Sequence, residues 1–137
     1  MVGCAQGAFD ITLPYLTQRK QFGQHLSDFQ SIQHQVARAA TDIEIARLLV
    51  YNAGRGVAMG QADETQCSMA KLVSSEAAER VTSACINLLG GVGFTREIGV
   101  EKYYRDAKIG QIYEGTSNIQ LQTIAKRILK EHQAPQN

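Results

Sequence analysis

The sequence predicts an all-α protein, an up-down four-helix bundle with one extra short helix. Three observations lead there. Apolar residues recur at helical spacing through nearly every segment. Strand-type alternation, internal repeats and low-complexity tracts are absent. The breaks between periodic segments are short and carry turn chemistry, Gly60-Gln61-Ala62-Asp63 and Gly90-Gly91. Three long antiparallel helices and a shorter fourth, joined by short links, make such a bundle.

The first helix spans about 2–20, with Ala8, Ile11, Tyr15 and Leu16 on one side. Pro14 lies inside it and predicts a kink or a break near Asp10, because proline lacks the N–H that the helix needs. A short loop with Gly23 and His25 follows. The second helix is expected to start at Ser27, whose hydroxyl and Gln30 form a capping box, and to end near Met59. Its inward stripe is Phe29, Ile32, Val36, Ala40, Ile43, Arg47, Val50 and Ala53, with one charged member. The third runs over about 64–89 with Ala70, Val73, Ala77, Val81, Ala84 and Leu88 facing inward, and ends at Gly90-Gly91, a C-cap signal. A glycine-rich loop through Phe94, a short helix near 100–108 and a last helix over about 116–131 complete the bundle. One domain over 1–132 and a frayed tail over 133–137 are expected.

A chain of 137 residues fits one domain that buries roughly two-thirds of its unfolded surface. Net charge is +1 and the charges are well mixed, so no basic stripe points to nucleic acid. Cys4, Cys67 and Cys85 are widely spaced and odd in number, neither a metal pattern nor a disulfide framework. They read as small buried hydrophobes in a reducing compartment. No apolar run is long enough to span a bilayer, and no signal or transit segment is visible. Met1-Val2-Gly3-Cys4 enters helical spacing without a cap, and the expectation is a piece of a longer protein.

The residue pattern that points to chemistry is Ile112-Tyr113-Glu114-Gly115-Thr116-Ser117-Asn118. Glycine after the acid leaves an approach path along which a flat ligand could near the backbone. Thr116 or Ser117 can cap the following helix, and Ser117 with Gln120 reads as a capping box that fixes the turn. A fixed acid beside a gap suits general-base work, although acids before helix starts also serve the macrodipole. Arg19, with Lys20 and Gln21, closes the first helix beside Phe22-Gly23 and could grip a phosphate in a bidentate fork or simply complement the helix dipole. Gly90-Gly91-Val92-Gly93-Phe94 follows a helix rather than a strand, so it fails as a dinucleotide fingerprint. It reads as a cap and turn, or as backbone that can lie close to a planar cofactor. His25, His34 and His132 are not spaced for metal.

Six motifs in order carry a resemblance over nearly the whole chain: Arg19-Lys20-Gln21-Phe22-Gly23, Phe29-Gln30, Gly90-Gly91-Val92-Gly93-Phe94, Val100-Glu101-Lys102, Arg105-Asp106-Ala107-Lys108-Ile109, and the run from Ile112 to Gln120. Together they resemble the C-terminal domain of the acyl-CoA dehydrogenases. Asp28-Phe29-Gln30, Gln33-His34-Gln35 and Tyr51-Asn52-Ala53 are most similar to the short/branched-chain branch. The resemblance implies that Glu114 takes the α-proton of an acyl-CoA thioester while the β-hydride goes to FAD. It implies that Tyr113 and Gly115 meet substrate and that Thr116, Ser117 and Asn118 meet the flavin. Arg19, Phe22, Gln30, Asn87, Leu88, Leu89, Gly90 and Gly91 are implied to reach the FAD held mainly by a neighbouring subunit.

The resemblance further implies a homotetramer, electron-transfer flavoprotein as acceptor and a place in the mitochondrial matrix. An N-terminal helical domain and a middle β-domain, with most flavin and CoA contacts, are expected in the full-length protein, so these 137 residues alone are expected to be inactive. Asn87 stands where many relatives have glutamine or glutamate, which changes one polar contact. Two other functions fit the same residues: a non-enzymatic helical interaction module, and the matching domain of an acyl-CoA oxidase.

Overall fold

In the computed structural model, which describes residues 1–133, five α-helices form four columns. The helices are α1 (Val2–Gln18), α2 (Gln30–Ala58), α3 (Glu64–Leu89), α4 (Val100–Lys108) and α5 (Ser117–Gln133). Specific contacts fix their directions. Asp42 pairs with Arg80 while Asn52 bonds Gln66, so α2 and α3 are antiparallel. Gln6 accepts from Arg47, and Leu16 lines a groove with Ile32 and Val36, so α1 also runs against α2. Glu79 holds Lys108, and Glu64 holds Arg127, so α4 and α5 both run against α3. α4 lies along the C-terminal half of α3 and α5 along the N-terminal half. Together they are one broken column, and the break between them carries Glu114.

The core lies between α1 and α3, where Ala5, Ala8, Phe9, Val81 and Cys85 pack with Val100 and Ala107 of α4. Leu16, Val81 and Val100 are essentially sealed from water, a burial worth about 1.5–3 kcal/mol for each such side chain. The small residues Ala39, Ala46 and Ala53 on α2 let it approach α3 closely. Burial holds the Cys85 thiol above its ordinary pKa, as expected for a buried small hydrophobe. It raises that of Cys4 as well, although Cys4 and Cys67 are only half-buried rather than buried as expected. Among the described residues no helix is long and apolar enough to cross a membrane.

Bounds read from sequence hold for α3 and α4, and five local readings are corrected. α1 runs unbroken through Pro14. Pro14 and Asp10 are both exposed, so water can satisfy the Asp10 carbonyl that proline leaves without a donor. The loop around Gly23 is a miniature antiparallel hairpin, β1 (Lys20–Gln21) and β2 (Gln24–His25). The Ser27–Gln30 box does not form. Leu26–Asp28 is a 3-10 turn closed by Asp28, which accepts from the His25 N–H at 3.0 Å, and α2 starts at Gln30. On α2, Ala39 and Ala46 are buried where Ala40 and Val50 were expected, and Val73 and Ala84 on α3 are only half-buried. Arg47 stays half-buried by giving one nitrogen to Gln6 at 2.6 Å and another to Glu44. Gln133, read as the first residue of the tail, closes α5 instead, and the rest of the expected tail, 134–137, lies outside the described residues.

Candidate active site at the break in the fourth column

After α4 the chain tightens into a 3-10 turn, Ile109–Gln111, and the N–H groups of Ile112 and Tyr113 both return to the Ile109 carbonyl at 3.0 Å. Glu114 then takes φ 52° and Gly115 φ 89°. For a residue with a side chain that left-handed region costs about 1–2 kcal/mol, so something must hold Glu114 there. Three tethers do. Gln120 donates its amide to the Glu114 carbonyl at 3.3 Å and the Gly115 carbonyl at 3.2 Å. Lys71 of α3 donates to the Gly115 carbonyl at 2.5 Å. Glu79 of α3 accepts from Lys108 at 2.7 Å and also from Gln111, which fastens the entry to the turn.

Gly115 is required for two reasons. Its φ suits only glycine without strain, and a Cβ there would come within 2.8 Å of the Gln120 amide nitrogen. The cap is Thr116, whose hydroxyl accepts from the Ile119 N–H at 3.4 Å. The expected Ser117–Gln120 box is therefore absent, because Gln120 is spent on the two turn carbonyls. Ser117 Oγ is left buried without a partner. The Glu114 side chain is exposed, and among the described residues its carboxylate has no hydrogen-bond or ion-pair partner. Tyr113 stands beside it, half-exposed, lining a cavity of about 290 Å³ with Lys71, Ser74 and Val50. The arrangement offers a free carboxylate on an immobilised backbone.

The remaining candidate residues gather elsewhere. Arg19 caps α1, Phe22 tops the hairpin at 93% exposure and Gln30 opens α2, all at the end of the bundle where α3 finishes. Asn87 is exposed and lines a cavity of about 510 Å³ with Phe94, Arg96 and Tyr104. Leu88 and Leu89 are buried, so only their backbone can meet a ligand. Gly90 ends α3 at φ 66°, and the 3-10 segment Gly90–Phe94 replaces the expected loop, with Gly90 and Gly91 exposed. Lys71, beside Glu114, and Gly90 are about 28 Å apart along the α3 axis at 1.5 Å per residue. The two sets cannot touch one planar ring.

Both sets suit a flavin nucleotide. The first turn of α5 presents unpaired N–H groups, the Ser117 hydroxyl without a partner, and exposed Thr116 and Asn118. The other end presents an arginine, an exposed aromatic ring and exposed glycine backbone. Among the described residues no three His, Cys, Asp or Glu side chains come together to hold a metal.

Lys71 and the double role of Gln120 escaped sequence reasoning. A signal for Lys71 existed: it begins the helical stripe Lys71, Ser75, Ala78, Thr82 and Cys85, the other four members of which are buried. A lone charge on a stripe of small buried residues asks for a partner.

The family description "Acyl-CoA dehydrogenase, C-terminal domain" matches residues 1–129. The short/branched chain specific acyl-CoA dehydrogenase, mitochondrial, of Bos taurus is 58% identical over 132 residues, which are 96% of this chain and 31% of that protein. Two solved structures share the fold. Butyryl-CoA dehydrogenase from Megasphaera elsdenii has a TM-score of 0.92 at 40% identity, covering 93% of this chain and 33% of that one. PigA in its FAD complex has a TM-score of 0.90 at 29% identity, covering 95% and 34%. The chain thus spans about a third of the length of the relatives it matches. Motif order, bundle architecture and these similarities agree: the chain belongs to the acyl-CoA dehydrogenase family and corresponds to its C-terminal domain.

Proposed function

We propose that this chain supplies the catalytic base of an FAD-dependent acyl-CoA dehydrogenase acting on short or branched-chain acyl-CoA. The observation that carries the reading is Glu114, a non-glycine residue held at φ 52° with an unpartnered carboxylate. Strain retained under three tethers is what a positioned reactive group requires. The Glu114 carboxylate takes the proton from the carbon next to the thioester carbonyl. When bound, FAD accepts the β-hydrogen with its electron pair. Gly115 keeps the approach to that acid clear, and Tyr113 walls one side. Thr116, Ser117 and Asn118 offer donors at the positive end of α5.

Arg19, Phe22, Gln30 and Asn87, with the backbone of Leu88, Leu89, Gly90 and Gly91, serve a second FAD held by a neighbouring subunit. The separation of about 28 Å along α3 supports two cofactors rather than one. Exposed Ile45, Leu48 and Tyr51 on the outer face of α2 support burial against another copy in a homotetramer. The similarity to mitochondrial short/branched-chain enzymes supports a mitochondrial location; the matrix, and electron-transfer flavoprotein as acceptor, belong to the same proposal.

The test is Glu114→Gln in the full-length flavoprotein. Bleaching of the flavin by acyl-CoA should slow by about 10²–10⁴-fold while flavin content stays unchanged. Undiminished bleaching would remove Glu114 from the reaction.

A further inference from the structure

We infer that Lys71 is a positioning residue for the base, the clamp that sets where the Glu114 carboxylate stands. This rests on the reading of Glu114 above. Lys71 and Glu79 sit two turns apart on α3, and the segment carrying Glu114 is strung between them. Glu79 fastens the entry through Lys108 and Gln111, and Lys71 fastens the exit through the Gly115 carbonyl. α3 is the central helix of the bundle, in contact with every other column, and both anchors sit on it.

The chemistry of the Lys71 contact is unusual for a merely structural bond. Its ammonium is half-buried, and among the described residues its partner is a carbonyl rather than a carboxylate. Removing a charge from water without an opposite charge is costly, and an apolar side chain at this position would avoid that cost. What Lys71 adds is direction. It pulls the Gly115–Thr116 peptide, one residue beyond Glu114, toward α3, while Gln120 holds the same carbonyl from α5 and the Glu114 carbonyl beside it. With the Gly115 peptide fixed from two helices, Glu114 cannot relax from its left-handed conformation without swinging its side chain. A displacement on the order of 1 Å at a reacting group can cost about 10²-fold in rate.

The experiment compares Lys71→Met, Gln120→Leu and Glu114→Gln in the full-length flavoprotein. It follows the rate of flavin bleaching per bound flavin and, separately, the Kd for acyl-CoA from the spectral change on binding. Lys71→Met should lower the bleaching rate about 10–100-fold with Kd changed less than about twofold. Gln120→Leu, which removes the second donor to the same carbonyl, should give the same split and provides the test should Lys71→Met fail to fold. A rate per flavin within about twofold of the parent in both variants, or a loss confined to Kd, overturns the clamp. If Glu114→Gln is slowed as expected while Lys71→Met and Gln120→Leu both keep the parent rate, the base stands and the clamp falls. If Glu114→Gln bleaches normally, the base reading fails first.

Discussion

Phe22-Gly23 and Glu114-Gly115 are the same backbone device used for opposite ends. In each pair the non-glycine residue sits near φ 50° and the glycine beyond φ 80°. At Phe22 the conformation follows from the hairpin, because two consecutive left-handed residues match the twist of the short strands they join. No further tether is needed, and the result is an aromatic ring standing in solvent, T-shaped to Phe29 with centroids 6.4 Å apart. At Glu114 there is no strand pair to impose the turn, and side chains from α3 and α5 impose it instead. One turn leaves its side chain in solvent on a free-standing hairpin; the other carries its side chain on a backbone held by two helices.

That contrast predicts different consequences for the two side chains. Glu114→Gln should leave cofactor in place and slow thioester-dependent bleaching about 10²–10⁴-fold. Phe22→Ala should do the reverse, with faster FAD loss from the assembled protein and an unchanged bleaching rate per flavin, read by flavin fluorescence during dilution. Equal effects on retention would erase the distinction.

The glycines should differ as well. Gly115→Ala adds left-handed strain, about 1–2 kcal/mol, and displaces the Gln120 amide from two carbonyls, for a total of about 2–3 kcal/mol. Gly23→Ala meets open space and should cost about 1 kcal/mol from strain alone. Urea midpoints of the two variants measure the gap, and equal midpoints would mean the Gln120 contacts contribute nothing.

Relief of strain gives a smaller and opposite signal. Glu114→Gly should stabilise the domain by about 0.5–1 kcal/mol while destroying the base, since released strain exceeds the entropy cost of glycine. Phe22→Gly releases similar strain but loses the contact with Phe29, about 0.5–1.5 kcal/mol, and should be close to neutral. Stabilisation at 22 but not at 114 would invert the comparison.

The smallest effect comes from the thiols in the packed core, away from both turns. Burial raises Cys85 above its ordinary 9.0, so the folded state disfavours the thiolate. The stability this protects is intact below that value and declines as pH rises above it. Urea midpoints from about pH 8 to about pH 10 should fall less in Cys85→Ala than in the parent.

Sequence carried most of the architecture because the decisive signals are local. Asp63, which caps α3 through the Thr65 N–H, and Gly90, which ends it, fix its bounds. The start of α2 was misread because a 3-10 turn absorbs Ser27, a choice made by the hairpin and not by the capping signature. Ala39 rather than Ala40 is buried because neighbouring residues lie about 100° apart around a helix, and packing against α3 selects the face more finely than that. At the turn itself, Thr116 was one of the two caps the sequence offers, and an acid before a glycine was legible. The tethers were not, since Lys71 lies 44 positions from Gly115 and no local pattern links them.

The most direct measurement of the base uses an acyl-CoA in which sulfur replaces the β-carbon, so that the α-proton can leave but no hydride can follow. With the full-length flavoprotein in D₂O, NMR should show deuterium entering the α-carbon of the parent's bound ligand. Glu114→Gln should slow that exchange by about 10²-fold or more with ligand still bound. Exchange at the parent's rate in Glu114→Gln would place the base on another residue and contradict the account.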